Sequence, residues 1–195
     1  VFKLKLSHFS QEVFTIHPGE YHVSGDDIII ATVLGSCVAV AFYDARLSLG
    51  GLNHFMLPGG LDDPDIAHSQ NAKYGMFAIE LLYNEMLKSG SRKQDIVAKL
   101  FGGASVLNLP GGPTKVPTDN IEFAQAYLER ERIPVVASDL GGLRPRKVFF
   151  FVKSGKVLLK RFGGQAVLQL EQEEDAYLRV IKRAQSGPVT LFGRP

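Results

Sequence analysis

Between Ile28 and Tyr43 the chain is almost entirely apolar, and the run is interrupted at Gly35-Ser36. Its first part, Ile28 to Val33, is a β-branched run of strand length; its second alternates Val38, Val40 and Phe42 with Cys37, Ala39 and Ala41. That pattern predicts two strands around a turn, the first of them buried. Upstream, "VFTIHPGEYHV" (Val13 to Val23) gives two short extended pieces parted by Pro-Gly. Downstream, "LNHFMLP" returns toward a Pro-Gly-Gly break, so residues 37–57 are expected to form a hairpin, followed by the polar loop "GGLDDPDIAHSQ".

The period then changes. Tyr74, Phe77, Ala78, Leu81, Leu82 and Met86 recur at helical spacing with Gly90 as a stop, which predicts an amphipathic helix through Lys88. "DIVAKLFGGA" predicts a strand closed by glycines, and Asp119 with Glu122 makes a capping-box-like start for a second helix through Arg130. "IPVVASDLGG" and "KVFFFVKSGKVLLKRFGG" supply three more strands, two of them joined at Ser154-Gly155. From Leu170 to Ala184 acid and base alternate at helical spacing, the mark of a terminal helix, and "SGPVTLFGRP" is expected to fray. Strands outnumber helices and come in hairpins, so the expected class is α+β, a layered α/β sandwich of antiparallel hairpins flanked by helices. Residues 1–168 are expected to form the domain, with 169–195 a terminal helix and tail.

Composition narrows the function classes. Apolar residues at 45% and charged residues at 22% fit a globular domain rather than a disordered chain. The net charge is +2 and the bases are scattered apart from "RPRK" (Arg144 to Lys147), which is expected to be a solvated face, so no nucleic-acid footprint is read. The longest uncharged stretch falls short of the roughly 20 residues a spanning helix needs, and no secretory signal is visible, so no membrane insertion is expected. One cysteine can form neither an internal disulfide nor a thiolate zinc site; a reducing cytoplasm and no metal are the expectation. Phosphate-loop, dinucleotide, H-E-x-x-H and C-x-x-C motifs are absent.

The candidate chemistry lies in the hairpin. A turn centred on Ala45-Arg46, started by Asp44, sets Cys37 opposite His54, on one face and with Cβ atoms about 4.5–5.5 Å apart. Ala39, Ala41, Gly50 and Leu52 would then leave an open slot for a substrate side chain. Asn53 points to the opposite face in this register, poorly placed to orient the imidazole, and is kept with Ala39 and Leu52 as a slot candidate. Thr32 is placed to fix the imidazole tautomer. The Gly35-Ser36 turn would offer backbone N–H groups as an oxyanion hole. A cysteine with a pKa of about 8.5 becomes a nucleophile beside an imidazolium, and acyl transfer follows. Taken singly, these residues have plainer uses: a lone cysteine between Val and Ala is more often core filler, a lone histidine more often structural, and double glycines are turns first. His8, His17, His22 and His68 show no partners in sequence, although His68 could line a cleft.

The stretches "TVLGSCVAVAFYD", "GGLNHFMLP", "KYGMFAIELLYNEMLKSGSRKQDIVAKLFGGA" and "SDLGGLRPRKVFFFVKSGKV" together resemble the CheD family, the chemoreceptor glutamine deamidases of bacterial chemotaxis. The resemblance runs over roughly residues 15 to 162. It implies a sandwich like that of the deamidating cytotoxic necrotizing factor toxins and a catalytic cysteine, histidine and threonine, which map onto Cys37, His54 and Thr32. It implies hydrolysis of receptor glutamines to glutamate through a thioester, with no cofactor. It also implies partners among the methyl-accepting chemotaxis proteins and, in some bacteria, the phosphatase CheC. A non-catalytic docking module and a transglutaminase-like acyltransferase stand as alternatives.

Overall fold

A computed structural model describes residues 1–4, 9–57, 70–106, 108–109, 112–163 and 165–185. In chain order the strands are β1 (Phe2–Leu4), β2 (Glu12–Thr15), β3 (Tyr21–Ser24), β4 (Ile28–Leu34), β5 (Val38–Asp44) and β6 (Leu49–Asn53). Helix α1 (Gln70–Lys88) precedes β7 (Ile96–Gly102), the short β8 (Asn108–Leu109) and β9 (Gly112–Pro113), and helix α2 (Val116–Arg130). The chain continues through β10 (Val135–Leu140), β11 (Arg146–Phe151), β12 (Lys156–Arg161) and helix α3 (Gln165–Gln185).

Ten of these strands form two five-stranded sheets, ordered β1-β2-β4-β11-β12 and β10-β7-β5-β6-β3, and β8 pairs with β9 in a two-stranded sheet. The α+β expectation holds, but the sheets are mixed: β2 pairs with β4 and β10 with β7 in parallel, beside the expected hairpins. The alternation in β5 explains how the layers stack. Cys37, Ala39 and Ala41 face Ile30, Leu34, Val148 and Phe150 of the first sheet, making the inter-sheet core. Val38, Val40 and Phe42 face the other way, into a second core with Ile79, Leu82 and Met86 of α1 and Phe123, Ala124 and Leu128 of α2. Small residues on the inner side let the sheets approach, and large ones on the outer side carry the helices. Leu178 and Ile181 of α3 close one end of the inter-sheet core.

Two expectations are corrected. α2 begins at Val116 with Pro117 in its first turn, and its N-cap is Lys115 without a side-chain capping bond, so Asp119 lies inside the helix rather than starting it. "RPRK" is a solvated face only in part: Arg144 is exposed and Lys147 half-buried. Arg146 is buried and holds Asp139, through both its carboxylate and its carbonyl, together with the Gly141 carbonyl, while Arg161 takes the other carboxylate oxygen of Asp139 at 2.5 Å. A buried guanidinium needs such partners, and this one ties β11 of one sheet to β10 of the other.

At Gly102 the chain has φ +112°, and a Cβ there would overlap the Cys37 carbonyl oxygen. Gly102→Ala is therefore expected to cost about 1–3 kcal/mol in strain alone, with further loss from the overlap. Gly163→Ala, where a Cβ meets nothing within 4 Å, is expected to be near neutral; urea unfolding of the two variants checks the contrast.

Candidate active site

The turn Gly35-Ser36-Cys37 links β4 to β5, and its backbone is committed in two directions. Its carbonyls are tied inward: Gly35 O accepts from Ala104 N at 2.6 Å and Cys37 O from Gly103 N at 2.8 Å. Ser36 O accepts from Asn120 Nδ2 of α2 at 2.9 Å. With the carbonyls so fixed, the amides converge on one point, and there sits the carboxylate of Glu174 from α3. Gly35 N donates to Oε1 at 2.9 Å, Ser36 N to Oε2 at 2.8 Å and Cys37 N to Oε1 at a longer 3.4 Å, while Ser36 Oγ donates to Oε2 at 2.6 Å. This concavity of N–H groups is an anion-binding nest of the kind an oxyanion hole requires. The sequence-based candidates Gly35 and Ser36 are both in it.

The hairpin register differs from expectation. Asp44 pairs with Leu49 and Ala41 with Leu52, so the loop spans residues 45–48 and is two residues longer than a turn centred on Ala45-Arg46. Asp44 does start it, its Oδ1 accepting from Arg46 N and Leu47 N. Val38 pairs with Phe55 beyond the end of β6; continued, this register sets His54 across from Ala39, diagonal to Cys37 rather than opposite it. The shift is even, so the face is kept, and diagonal neighbours remain within reach of a long side chain.

His54 is held by the turn between β2 and β3: its N donates to Glu20 O at 3.0 Å and its O accepts from Gly19 N at 2.8 Å. Its Nδ1 lies 2.7 Å from Thr32 Oγ1. The Thr32 hydroxyl proton goes to Ile16 O at 2.9 Å, so Thr32 Oγ1 accepts from His54 and the ring proton is on Nδ1. Nε2 is then the basic nitrogen; it is buried and makes no hydrogen bond. Thr32, His54, Ile16 and Pro18 line a cavity of about 430 Å³ whose other wall is Leu170, Glu173, Glu174 and Tyr177 of α3.

The electrostatics run against the expected ion pair. Burial raises the Cys37 thiol well above its ordinary value, and the Glu174 charge and its hydrogen bond to the thiol raise it further. Burial lowers His54 to about 3, with His17 adding to the drop. In this closed arrangement the pair is a neutral thiol and a neutral imidazole. Cys37 is fully buried.

The open slot is also corrected. Ala39 and Leu52 are fully buried in the inter-sheet core. Asn53 faces the helices, where its Oδ1 accepts from Val40 N at 2.8 Å and its Nδ2 donates to Ala78 O at 3.1 Å. It completes the β5 ladder and lines no slot. His22 stacks on Phe14 and His17 meets Phe2 edge-on; His8 and His68 lie outside the described residues. Among the described residues no group of three or more His, Cys, Asp or Glu side chains is placed to hold a metal ion, and no helix is long and apolar enough to cross a membrane.

Sequence reasoning missed Glu174 and Asn120. Nothing local marks either: Glu174 is one acid in a charged helix and Asn120 one amide in another, and each reaches the turn across a large sequence separation. The glycines Gly102-Gly103 were legible as a turn but not as the brace of Cys37.

The family model described as CheD chemotactic sensory transduction matches residues 56–161. The chain is 44% identical, over 95% of its length and 77% of the relative's, to a probable chemoreceptor glutamine deamidase CheD 1 of Albidiferax ferrireducens. It is 41% identical, over 94% of its length and 91% of the relative's, to a probable chemoreceptor glutamine deamidase CheD of Janthinobacterium sp.. Among solved structures, the hypothetical protein YfiH of Bacillus licheniformis aligns with a TM-score of 0.41 at 17% identity, over 61% of this chain and 49% of that one. With the family model covering more than half the chain and relatives of 41–44% identity matched over 94–95% of it, the chain belongs to the CheD family.

Proposed function

We propose that this protein hydrolyses the side-chain amide of glutamines on chemoreceptors, with Cys37 as nucleophile, His54 as proton carrier and Thr32 as the residue that positions the imidazole. The observation that carries this reading is the nest of Gly35, Ser36 and Cys37 amides holding a carboxylate against the Cys37 thiol. A carboxylate is the product of glutamine hydrolysis, so a site shaped for it is shaped for this reaction. The names of the 41–44% identical relatives support the same reaction and the same class of substrate.

The Thr32 contact leaves His54 Nε2 as the basic nitrogen, and the proposed steps start from it. His54 Nε2 takes the thiol proton, and Sγ attacks the carboxamide carbon. The C–O π electrons move to oxygen, where the turn amides bind the developing charge. The C–N bond breaks as His54 returns the proton to nitrogen, and ammonia leaves. Water reaching His54 through the cavity beside it gives up a proton to Nε2 and cleaves the thioester, leaving glutamate and the thiol. Thr32 acts by keeping the proton on Nδ1 throughout. A cytoplasmic location and a CheC-type phosphatase partner belong to this same proposal, in keeping with the family's chemotaxis description; so does a layered sandwich like that of the necrotizing-factor toxins, with the two stacked five-stranded sheets in its favour.

Cys37→Ala is expected to lower ammonia release from a receptor cytoplasmic fragment at least about a thousandfold; a wild-type protein that binds the fragment without releasing ammonia, and a variant that binds it equally well, point to a docking module. Thr32→Val is expected to lower kcat by at least about tenfold with KM little changed, measured by the same assay. A cross-linked product on adding a primary amine would mark a transglutaminase instead.

The depressed His54 value also sets an acid limit. The unfolded chain binds a proton at the imidazole below pH about 6.5, whereas the folded site stays neutral down to about 3. Stability from this group is complete above the upper value and is lost as pH falls through that window. His54→Gln is expected to flatten the pH dependence of unfolding between those limits, as read by urea titrations.

A further inference from the structure

We propose that α3 is a built-in pseudosubstrate: it occupies the groove meant for the receptor helix, and Glu174 stands where the side chain of the converted glutamine stands. This inference rests on the deamidase reading and adds to it the form in which substrate is presented and the way the site is kept closed.

Besides the packing of Leu178 and Ile181 against the inter-sheet core, α3 makes one set of contacts that core packing does not call for. Glu174 is almost fully buried, yet it spends its carboxylate on the catalytic turn, taking three backbone amides and the Ser36 hydroxyl. A helix that only capped the core would put an apolar residue there, because burying a carboxylate is costly unless its acceptors are filled. The turn is shaped to match. A Cβ on Gly35 would meet Val106 Cγ2 at 2.6 Å and the two Glu174 oxygens at 2.8 and 2.9 Å, so the missing side chain both lets the turn pack on Val106 and leaves room for the carboxylate. On either side of Glu174, Leu170, Leu178 and Ile181 are buried, while Gln172, Glu173, Ala176, Arg179 and Val180 are exposed. The stripe has one acyl side chain at its centre and apolar residues four before, four after and seven after, the spacing by which a helix lies in a groove.

The occupant this commits to is a helix with a glutamine in its apolar stripe, flanked at those spacings. Receptor glutamines set in such stripes are the expected targets, and those on polar faces or in loops are not. While α3 is seated the thiol is inaccessible, so turnover requires its departure.

The test uses the full chain. In Glu174→Gln the introduced carboxamide lies in the nest beside Cys37. Attack by Sγ and departure of ammonia, followed by hydrolysis of the thioester, would restore glutamate, a gain of about one dalton in the peptide carrying position 174. Conversion that is absent when Cys37→Ala is combined with it supports the inference. A glutamine that persists overturns it, even if the wild-type protein releases ammonia from a receptor fragment. Conversion with no ammonia from any receptor fragment keeps the pseudosubstrate and removes the receptor reading. A second arm needs no turnover: Leu178→Asp is expected to speed alkylation of Cys37, the chain's single thiol, at least about tenfold. Circular dichroism confirms the fold, and an unchanged rate in a folded variant overturns the inference.

Discussion

Three backbone amides that converge on one point cannot be buried without an acceptor. The turn at Gly35-Ser36-Cys37 presents them because its carbonyls are bound from behind by Gly103, Ala104 and Asn120. An unpaired buried N–H costs about 1–3 kcal/mol, so the fold has two stable ways to complete itself: leave the turn in water, or fill it with an oxygen. In this structure it is filled by Glu174. That contact seats α3 on the turn, and the Glu174 charge adds to the burial that keeps the Cys37 thiol neutral.

The sequence was most informative where local pattern and burial agree. The alternation in β5 assigns Cys37 to the inner face and Val38 to the outer one, and the structure divides them between two cores accordingly. The Thr32-His54 contact was legible because both residues lie next to strongly patterned strands. Loop length was not, since Asp44 nucleates a turn of the same chemistry at either length, and only the even shift preserved the face. Arg146 shows the opposite failure. A basic cluster reads as surface, and nothing within the cluster reveals that Asp139, on a strand of the other sheet, will draw one of its members inside.

The Cys37-His54 pair makes the cost of closure concrete. His54 needs burial to keep Nε2 free of water and Thr32 to hold its tautomer, but the same burial disfavours any charge on it. The thiol is pushed further from ionisation by the carboxylate beside it. Opening the site removes both obstacles at once: departure of Glu174 takes away the negative charge, and water entering the groove restores solvation to the sulfur. On the pseudosubstrate reading, reactivity and accessibility are therefore coupled through one side chain.

That coupling bears on product release. Hydrolysis turns a neutral carboxamide oxygen into a charged carboxylate, and a nest of N–H groups binds a charged acceptor roughly twice as strongly as a neutral one. A site that stabilises the oxyanion of the intermediate therefore also tends to retain its product. A tethered helix carrying its own glutamate meets the nest at the high effective concentration of an intramolecular partner, and it offers the same charge-assisted bonds. On the pseudosubstrate reading, α3 would exchange with product on near-equal terms but compete well against neutral substrate, so the receptor must contribute apolar contacts along the groove to enter. Selectivity then lies in the helix that surrounds the glutamine, while the nest recognises only its amide.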